Sequence, residues 1–208
     1  MEEEYPFIAA AEWPDDIKGQ KWKNYNILHF LNYPIVDPSF HGDIKTSVDN
    51  ATFAYNECMK TIADPKADKI GQGICMRFII HLVGDVHQPL HTATLFSDKF
   101  PNGDAGGNQF EIKYRLKSLK NLHSYWDDIG HEFSKIQVPL NHDKYDKLTD
   151  LGNQFTTKYT REVLKKELSL KTFDEWVDES GQHAFKEAYD SLKLHSGDEI
   201  SDAYEATA

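Results

Sequence analysis

His81 and Asp85 stand four residues apart, His91 follows, and His123 and Asp127 repeat the four-residue spacing. Four residues is about one helical turn, so each His–Asp pair projects from one face of a helix. Imidazole nitrogen and carboxylate oxygen are donors that zinc accepts. A single histidine of this kind is more often a cap or a core hydrogen bond. Two pairs with a further histidine between them point instead to a metal centre. A buried His–Asp pair left without a partner would be costly, and a cation removes that cost.

Helices must position these residues. Val48, Ala51, Tyr55, Cys58 and Ile62 follow a 3-4-3-4 spacing that predicts an amphipathic helix ending near Asp64 and Pro65. A second helix is predicted from about Ala67 towards Val86, with Ile70, Ile74, Phe78, His81, Leu82 and Asp85 on one inward stripe. Pro89 cannot extend its hydrogen-bond ladder, so the chain turns there and re-aims His91. Residues 97–108 (SDKFPNGDAGGN) read as a loop. Phe110, Ile112, Tyr114 and Leu116 alternate strictly, the pattern of a strand. Leu122, Trp126 and Ile129 mark a short helix carrying His123 and Asp127. Further helices are predicted over residues 143–168 and 172–194, the latter opening on a capping box, Thr172 with Glu175.

The 208 residues suffice for one core, and Phe 12, Tyr 10 and Trp 4 argue against general disorder. A net charge of −11 excludes nucleic-acid affinity built on a broad basic surface. Bound cations can reverse that sign locally. No apolar run reaches the roughly 18 residues of a membrane-spanning helix. Met1 to Tyr5 are acidic and polar, unlike a secretory leader. Cys58 and Cys75 read as small buried hydrophobes on helices, with a single bridge between them left open. The glycine-rich segment 103–107 lacks the Lys-Ser/Thr ending of a nucleotide-triphosphate loop. His87 falls on a different helical face from Asp85, and Asp16 and Asp128 read as solvent-facing or supporting residues.

Residues 81–91 (HLVGDVHQPLH), 103–108 (GDAGGN) and 121–127 (NLHSYWD) resemble the zinc-dependent single-strand nucleases of fungi, plants and protists. These type I nucleases, or 3′-nucleotidase/nucleases, share a helical fold with bacterial zinc phospholipase C. Residues 12–18 (EWPDDIK) and 26–30 (NILHF) resemble two upstream family segments, and Trp176, Glu179, Ser180, residues 198–200 and Tyr204 echo weaker features. The resemblance runs from about Trp13 to Tyr204.

It implies a mainly α phospholipase C/nuclease fold with a small β-hairpin excursion, forming a single domain over residues 1–208. Function by resemblance is zinc-dependent hydrolysis of single-stranded DNA or RNA, or of 3′-nucleotides, to 5′-phosphates. The implied setting is a monomer in a secreted or lysosome-like location. Family members hold three zinc ions. Carried over by position, Asp15, His29, His81 and Asp85 hold the first ion, and His91, His123 and Asp127 the second. Asp85 reaches to a third, which the family completes with an N-terminal Trp and a nearby His. That segment and a final helix are expected to be missing here, leaving two complete sites. Asp15 would also orient the attacking water, and Lys18 would stabilise charge developing on phosphate. Phe30 would stack on an unpaired base while Asn32 and Asn108 bond its edge. Two alternatives stay open: a zinc- and nucleotide-binding fragment of impaired activity, and a phospholipase C-type phosphodiesterase.

Overall fold

A computed structural model describes residues 5–19, 23–46, 50–115, 120–128, 136 and 140–206, with backbone only for residues 18, 19, 23 and 24. Helix α1 (Pro6–Gly19) is followed by a 3-10 helix (Lys23–His29) and strand β1 (Tyr33–Val36). Helices α2 (Ala51–Ala63) and α3 (Lys69–Val86) form a hairpin. The one-turn helix α4 (Pro89–Thr92) runs directly into β2 (Ala93–Phe96). Beyond the 103–108 loop come α5 (Leu122–Asp127), α6 (His142–Lys158), α7 (Phe173–His183) and the short α8 (Asp202–Glu205). The fold is mainly helical, as expected. No helix among the described residues is long and apolar enough to cross a membrane.

Local signals set the α2–α3 boundaries. Asn50 caps α2 by accepting from Phe53 N, Asp64 closes it, and Asp68 caps α3 by accepting from Gly71 N. Val48, expected at the start of α2, lies outside the described residues. The expected inward stripe of α3 holds only for its second half. Phe78, His81, Leu82 and Val86 are buried, whereas Ile70 is 77% and Ile74 41% exposed. The end of the hairpin nearest its connection reaches beyond the core, so the periodicity there has nothing to pack on. Leu82 and Val86 join Ala51, Ala54, Phe173 and Val177 in one core cluster. A second cluster gathers Leu90, Leu95, Phe110, Ile112, Leu122, Tyr125 and Tyr189 under the 103–108 loop.

The small β excursion is present where expected: residues 110–112 pair antiparallel with residues 120–122, Ile112 N bonding Lys120 O and Leu122 N bonding Phe110 O. The sheet pairs β1 with β2 in parallel, Tyr33 opposite Ala93 and Val36 opposite Phe96. Phe110 and Ile112 are buried and alternate with exposed Glu111 and Lys113 as predicted. Among the described residues the pairing stays short, as Glu111 bridges to Asn121 and Lys113 to Glu199 on a second segment. Leu116 lies outside the described residues.

Two long helices are shorter than expected. Helix α6 stops at Lys158 and buries no residue, so packing does not extend it. Thr156 and Thr157 hydroxyls both donate to the Asn153 carbonyl, and Thr160 Oγ1 accepts from Val163 N to open a separate turn. Helix α7 gives way to a π turn (Ala184–Ala188), and the chain then enters left-handed backbone at Asp190, Ser191 and Leu192. Cys58 and Cys75 are half-buried rather than buried.

The capping box at α7 is complete: Thr172 accepts from Glu175 N, and Glu175 accepts from the amides of Lys171 and Thr172. Thr172→Ala is expected to lower stability by about 1 kcal/mol in urea denaturation. The Lys171 amide, then the Thr172 hydroxyl and amide, hold the Glu175 carboxyl below its ordinary value. Its contribution is therefore present above the usual glutamate pKa and fades as pH falls through the lower folded value. The stability gap between wild type and Glu175→Gln should narrow on acidification from about pH 6 to about pH 3.

Candidate metal centre

Five segments deliver the site. Helix α3 presents His81 and Asp85 from its last turns, then ends at His87, whose amide bonds Gly84 O. Gln88 caps α4, Pro89 opens it, and His91 is its third residue. Proline thus re-aims His91, as predicted. His29 ends the 3-10 helix, and Leu31 N bonds His91 O at 2.7 Å, stitching those two segments together. Asp15 comes from α1. His123 and Asp127 share one face of α5, which Asn121 caps.

These residues converge in two groups. Asp15, His29 and His81 bring one ligand atom each within 4.8 Å of one another, and so do His91, His123 and Asp127. In the first group His29 Nδ1 lies 3.5 Å from Asp15 Oδ1, 2.8 Å from His81 Nε2 and 3.6 Å from Asp85 Oδ2. In the second, Asp127 lies 3.7 Å from His91 Nε2 and 3.5 Å from His123 Nε2. Asp85 Oδ2 is also 3.6 Å from His91 Nδ1, so this carboxylate stands between the groups.

Backbone carbonyls fix three of the four imidazoles. His81 Nδ1 faces Ala11 O at 2.6 Å, His91 Nδ1 faces His29 O at 3.1 Å, and His123 Nδ1 faces Gly106 O at 2.7 Å. A carbonyl only accepts, so each Nδ1 carries a proton and each Nε2 is the ring nitrogen turned to the cluster. Pro14 withdraws a donor from the α1 ladder one turn from the Ala11 carbonyl that holds His81.

Asp85 provides the test of fit. Its Oδ2 is buried, sits 2.9 Å from His81 Nε2, and yet has no hydrogen-bond partner. His29 Nε2 is likewise buried without a partner. A buried carboxylate oxygen among imidazole nitrogens, with no aligned donor, suits a cation. Electrostatics agree. Burial pushes the Asp85 carboxyl up, but His29 and His81 outweigh it and hold it well below the carboxylate range. Burial opposes charge on His81 and His91, while Asp85 in the one case and Asp127 with Asp85 in the other raise them. Asp127 is lowered against burial by His91, His123 and Gln88, whereas burial prevails at His123 and lowers it. A divalent metal would take the place of the protons this cluster attracts.

Phe30, Asn32 and Asn108 line one cleft of about 720 Å³ together with His29, His91, His123 and Asp127. Lys18 lies in the last turn of α1, and its side chain is outside the described residues. His87 is exposed, bonds Val83 O and packs on Trp176, away from both groups. His41, His142, His183 and His195 belong to neither group, and His131 lies outside the described residues.

Sequence reasoning missed the supports. Asp104 is fully buried and accepts from Thr94 Oγ1, Leu95 N and Tyr189 OH, which anchors the 103–108 loop to β2. Gly106 has φ +59, and a Cβ there would overlap the Leu90 carbonyl, so only glycine lets its own carbonyl reach His123. Gln88 caps α4 through Oε1 and donates from Nε2 to Asp127 Oδ1 at 2.7 Å, joining the helices that carry His91 and Asp127. Gln before Pro is a weak capping signal, and nothing local announces its reach to residue 127.

The S1/P1 Nuclease family matches residues 1–208. The chain belongs to this family. It is 31% identical over 132 residues to Endonuclease 5 of Arabidopsis thaliana, covering 57% of this chain and 42% of that protein. It is 26% identical over 216 residues to Endonuclease 1 of the same plant, covering 94% of this chain and 66% of that protein. A 52-residue stretch is 38% identical to Nuclease S1 of Aspergillus oryzae, covering 25% of this chain and 15% of the fungal protein. The chain thus spans about two-fifths to two-thirds of the plant relatives' length.

If the two groups each hold a divalent metal ion, Gln88→Ala is expected to weaken one of the two binding events by about 10–100-fold in a stepwise calorimetric titration. The other event should be little changed. Equal weakening of both would assign Gln88 to the fold rather than to Asp127.

Proposed function

We propose that the chain is a zinc-dependent phosphodiester hydrolase that cuts single-stranded nucleic acid, or removes the phosphate of 3′-nucleotides, leaving 5′-phosphates in the first case. The supporting observation is that His29 of the first group and all three residues of the second line one cleft together with Phe30, Asn32 and Asn108. Donors about 2.0–2.2 Å from one tetrahedral centre lie about 3.3–3.6 Å from each other. The contacts of 2.8–3.7 Å within the groups bracket that spacing.

Asp15, His29, His81 and Asp85 would hold one zinc, and His91, His123 and Asp127 another. Zinc, when bound, supplies Lewis-acid activation of water and neutralises charge on the phosphoryl group. Two dications against three carboxylates leave a local positive excess, which draws a phosphate into a chain of net charge −11. Asp15 is the most exposed of the first group, with a side chain 54% accessible, and so can also accept a proton from incoming water. Lys18, one turn along α1, is assigned to the charge developing on phosphate. Phe30 presents a ring to an unstacked base, and Asn32 and Asn108 present donors and acceptors to its edge. A duplex hides those surfaces, which gives the preference for single strands. A secreted or lysosome-like setting belongs to the same reading.

Two substitutions separate this reading from a phospholipase-like one. With zinc supplied, the chain should cleave a single-stranded oligonucleotide and leave 5′-phosphate ends, and His81→Ala should abolish this. Phe30→Ala should raise KM for the oligonucleotide about 10-fold with a smaller change in kcat, as loss of one base stack requires. Cleavage that persists in His81→Ala, or a phospholipid head group cut while oligonucleotides are spared, would defeat the proposal.

A further inference from the structure

The chain has two cysteines in 208 residues, and they fall on neighbouring helices, Cys58 on α2 and Cys75 on α3. The hairpin fixes their register. Gln72 Nε2 donates to Ile62 O at 3.3 Å and to Asp64 O at 3.0 Å, so residue 72 of α3 stands beside the last turn of α2. Stepping back four residues along α2 reaches Cys58, and stepping on three along α3 reaches Cys75. In an antiparallel pair those steps bring each helix one turn further on, on the same face. The two thiols interact as side-chain hydrogen-bond partners, and Cys75 acts on Cys58 more strongly than Glu57 does. Both side chains are half-buried, so a small reagent can reach them.

We propose that Cys58 and Cys75 are a disulfide-forming pair that reversibly staples α2 to α3. The oxidant is a low-molecular-weight disulfide. Burial and the neighbouring Cys75 thiol push the Cys58 thiol up to about 12, which makes Cys58 the second of the pair to react; Cys75 attacks first. Attack on one sulfur of the small disulfide forms a mixed disulfide and expels one small thiolate. Cys58 then gives up its proton and attacks Cys75 Sγ, expelling the second small thiolate and closing the Sγ–Sγ bond. The chain loses two electrons and two protons, and the small disulfide is reduced to two thiols. The bridge closes a short loop across the turn between the helices, so it removes freedom chiefly from the unfolded chain. It also braces the helix that carries His81 and Asp85. The pairing does not depend on the reaction proposed above.

The test uses the purified chain and oxidised glutathione under native conditions. The expected product has lost two hydrogens by intact mass, takes up no maleimide after unfolding, and yields one cross-linked peptide containing both cysteines. Its Tm should rise by about 5–10 °C and return on reduction. Cys58→Ser and Cys75→Ala should each remove the reversible Tm shift, which keeps the test open if one variant folds poorly. Free thiols after treatment, glutathione retained on both cysteines, or disulfide-linked dimers would each overturn the pairing. A bridged chain that melts with the reduced one would overturn the staple.

Discussion

Asp85 is the carboxylate on which the site turns. It is half-buried, and its Oδ2 lies within 3.6 Å of nitrogen atoms from His29, His81 and His91 without an aligned donor. Such an oxygen is tolerable only if a positive charge sits in its midst. Protons on the imidazoles provide part of that charge in the bare chain, and this is why burial loses to ion pairing at His81 and His91. The histidines, in turn, are held where they are by groups that carry no charge at all. Three carbonyls, from α1, from the 3-10 helix and from the 103–108 loop, each take one imidazole proton. The cluster is therefore oriented by backbone and charged by side chains.

Those carbonyls explain much of the surrounding architecture. The Gly106 carbonyl reaches His123 because Asp104 pins its loop to β2 and Tyr189, and because glycine tolerates the left-handed backbone there. Tyr189 follows the π turn that ends α7, so an irregular helix end far along the chain contributes to the placement of one imidazole. Gln88 does similar work between α4 and α5. Interruptions in regular structure cluster around these supports, where backbone groups are needed for something other than a helix ladder.

What could be read from the sequence was mostly what is local. The His–Asp spacing gave helical faces, the helical class followed from periodicity, and Pro89 gave the turn before His91. The Thr172 capping box also marks a real boundary. What escaped was long-range. Ile70 and Ile74 have the right period but no neighbour to bury them. Phe110 and Ile112 alternate correctly, yet the bridges of Glu111 and Lys113 between and beside them reach two segments far apart in sequence. Tyr33 to Val36 contains a proline and Ala93 to Phe96 is buried throughout, so neither strand alternates visibly. Asp15 and His29 carry no spacing signal of their own and were reached through family resemblance alone.

The two-stranded parallel sheet has a consequence out of proportion to its size. His29 lies four residues before β1 and His91 two residues before β2, and the strands are locked side by side. The pairing works as a ruler laid across both ligand groups. Whatever happens to the intervening chain, from the turn after β1 to the tip of the α2–α3 hairpin, the distance between those two histidines is set by eight strand residues. Lengthening that excursion should leave the spacing untouched. A slip of a single residue between the strands would turn every side chain over and pull the groups apart.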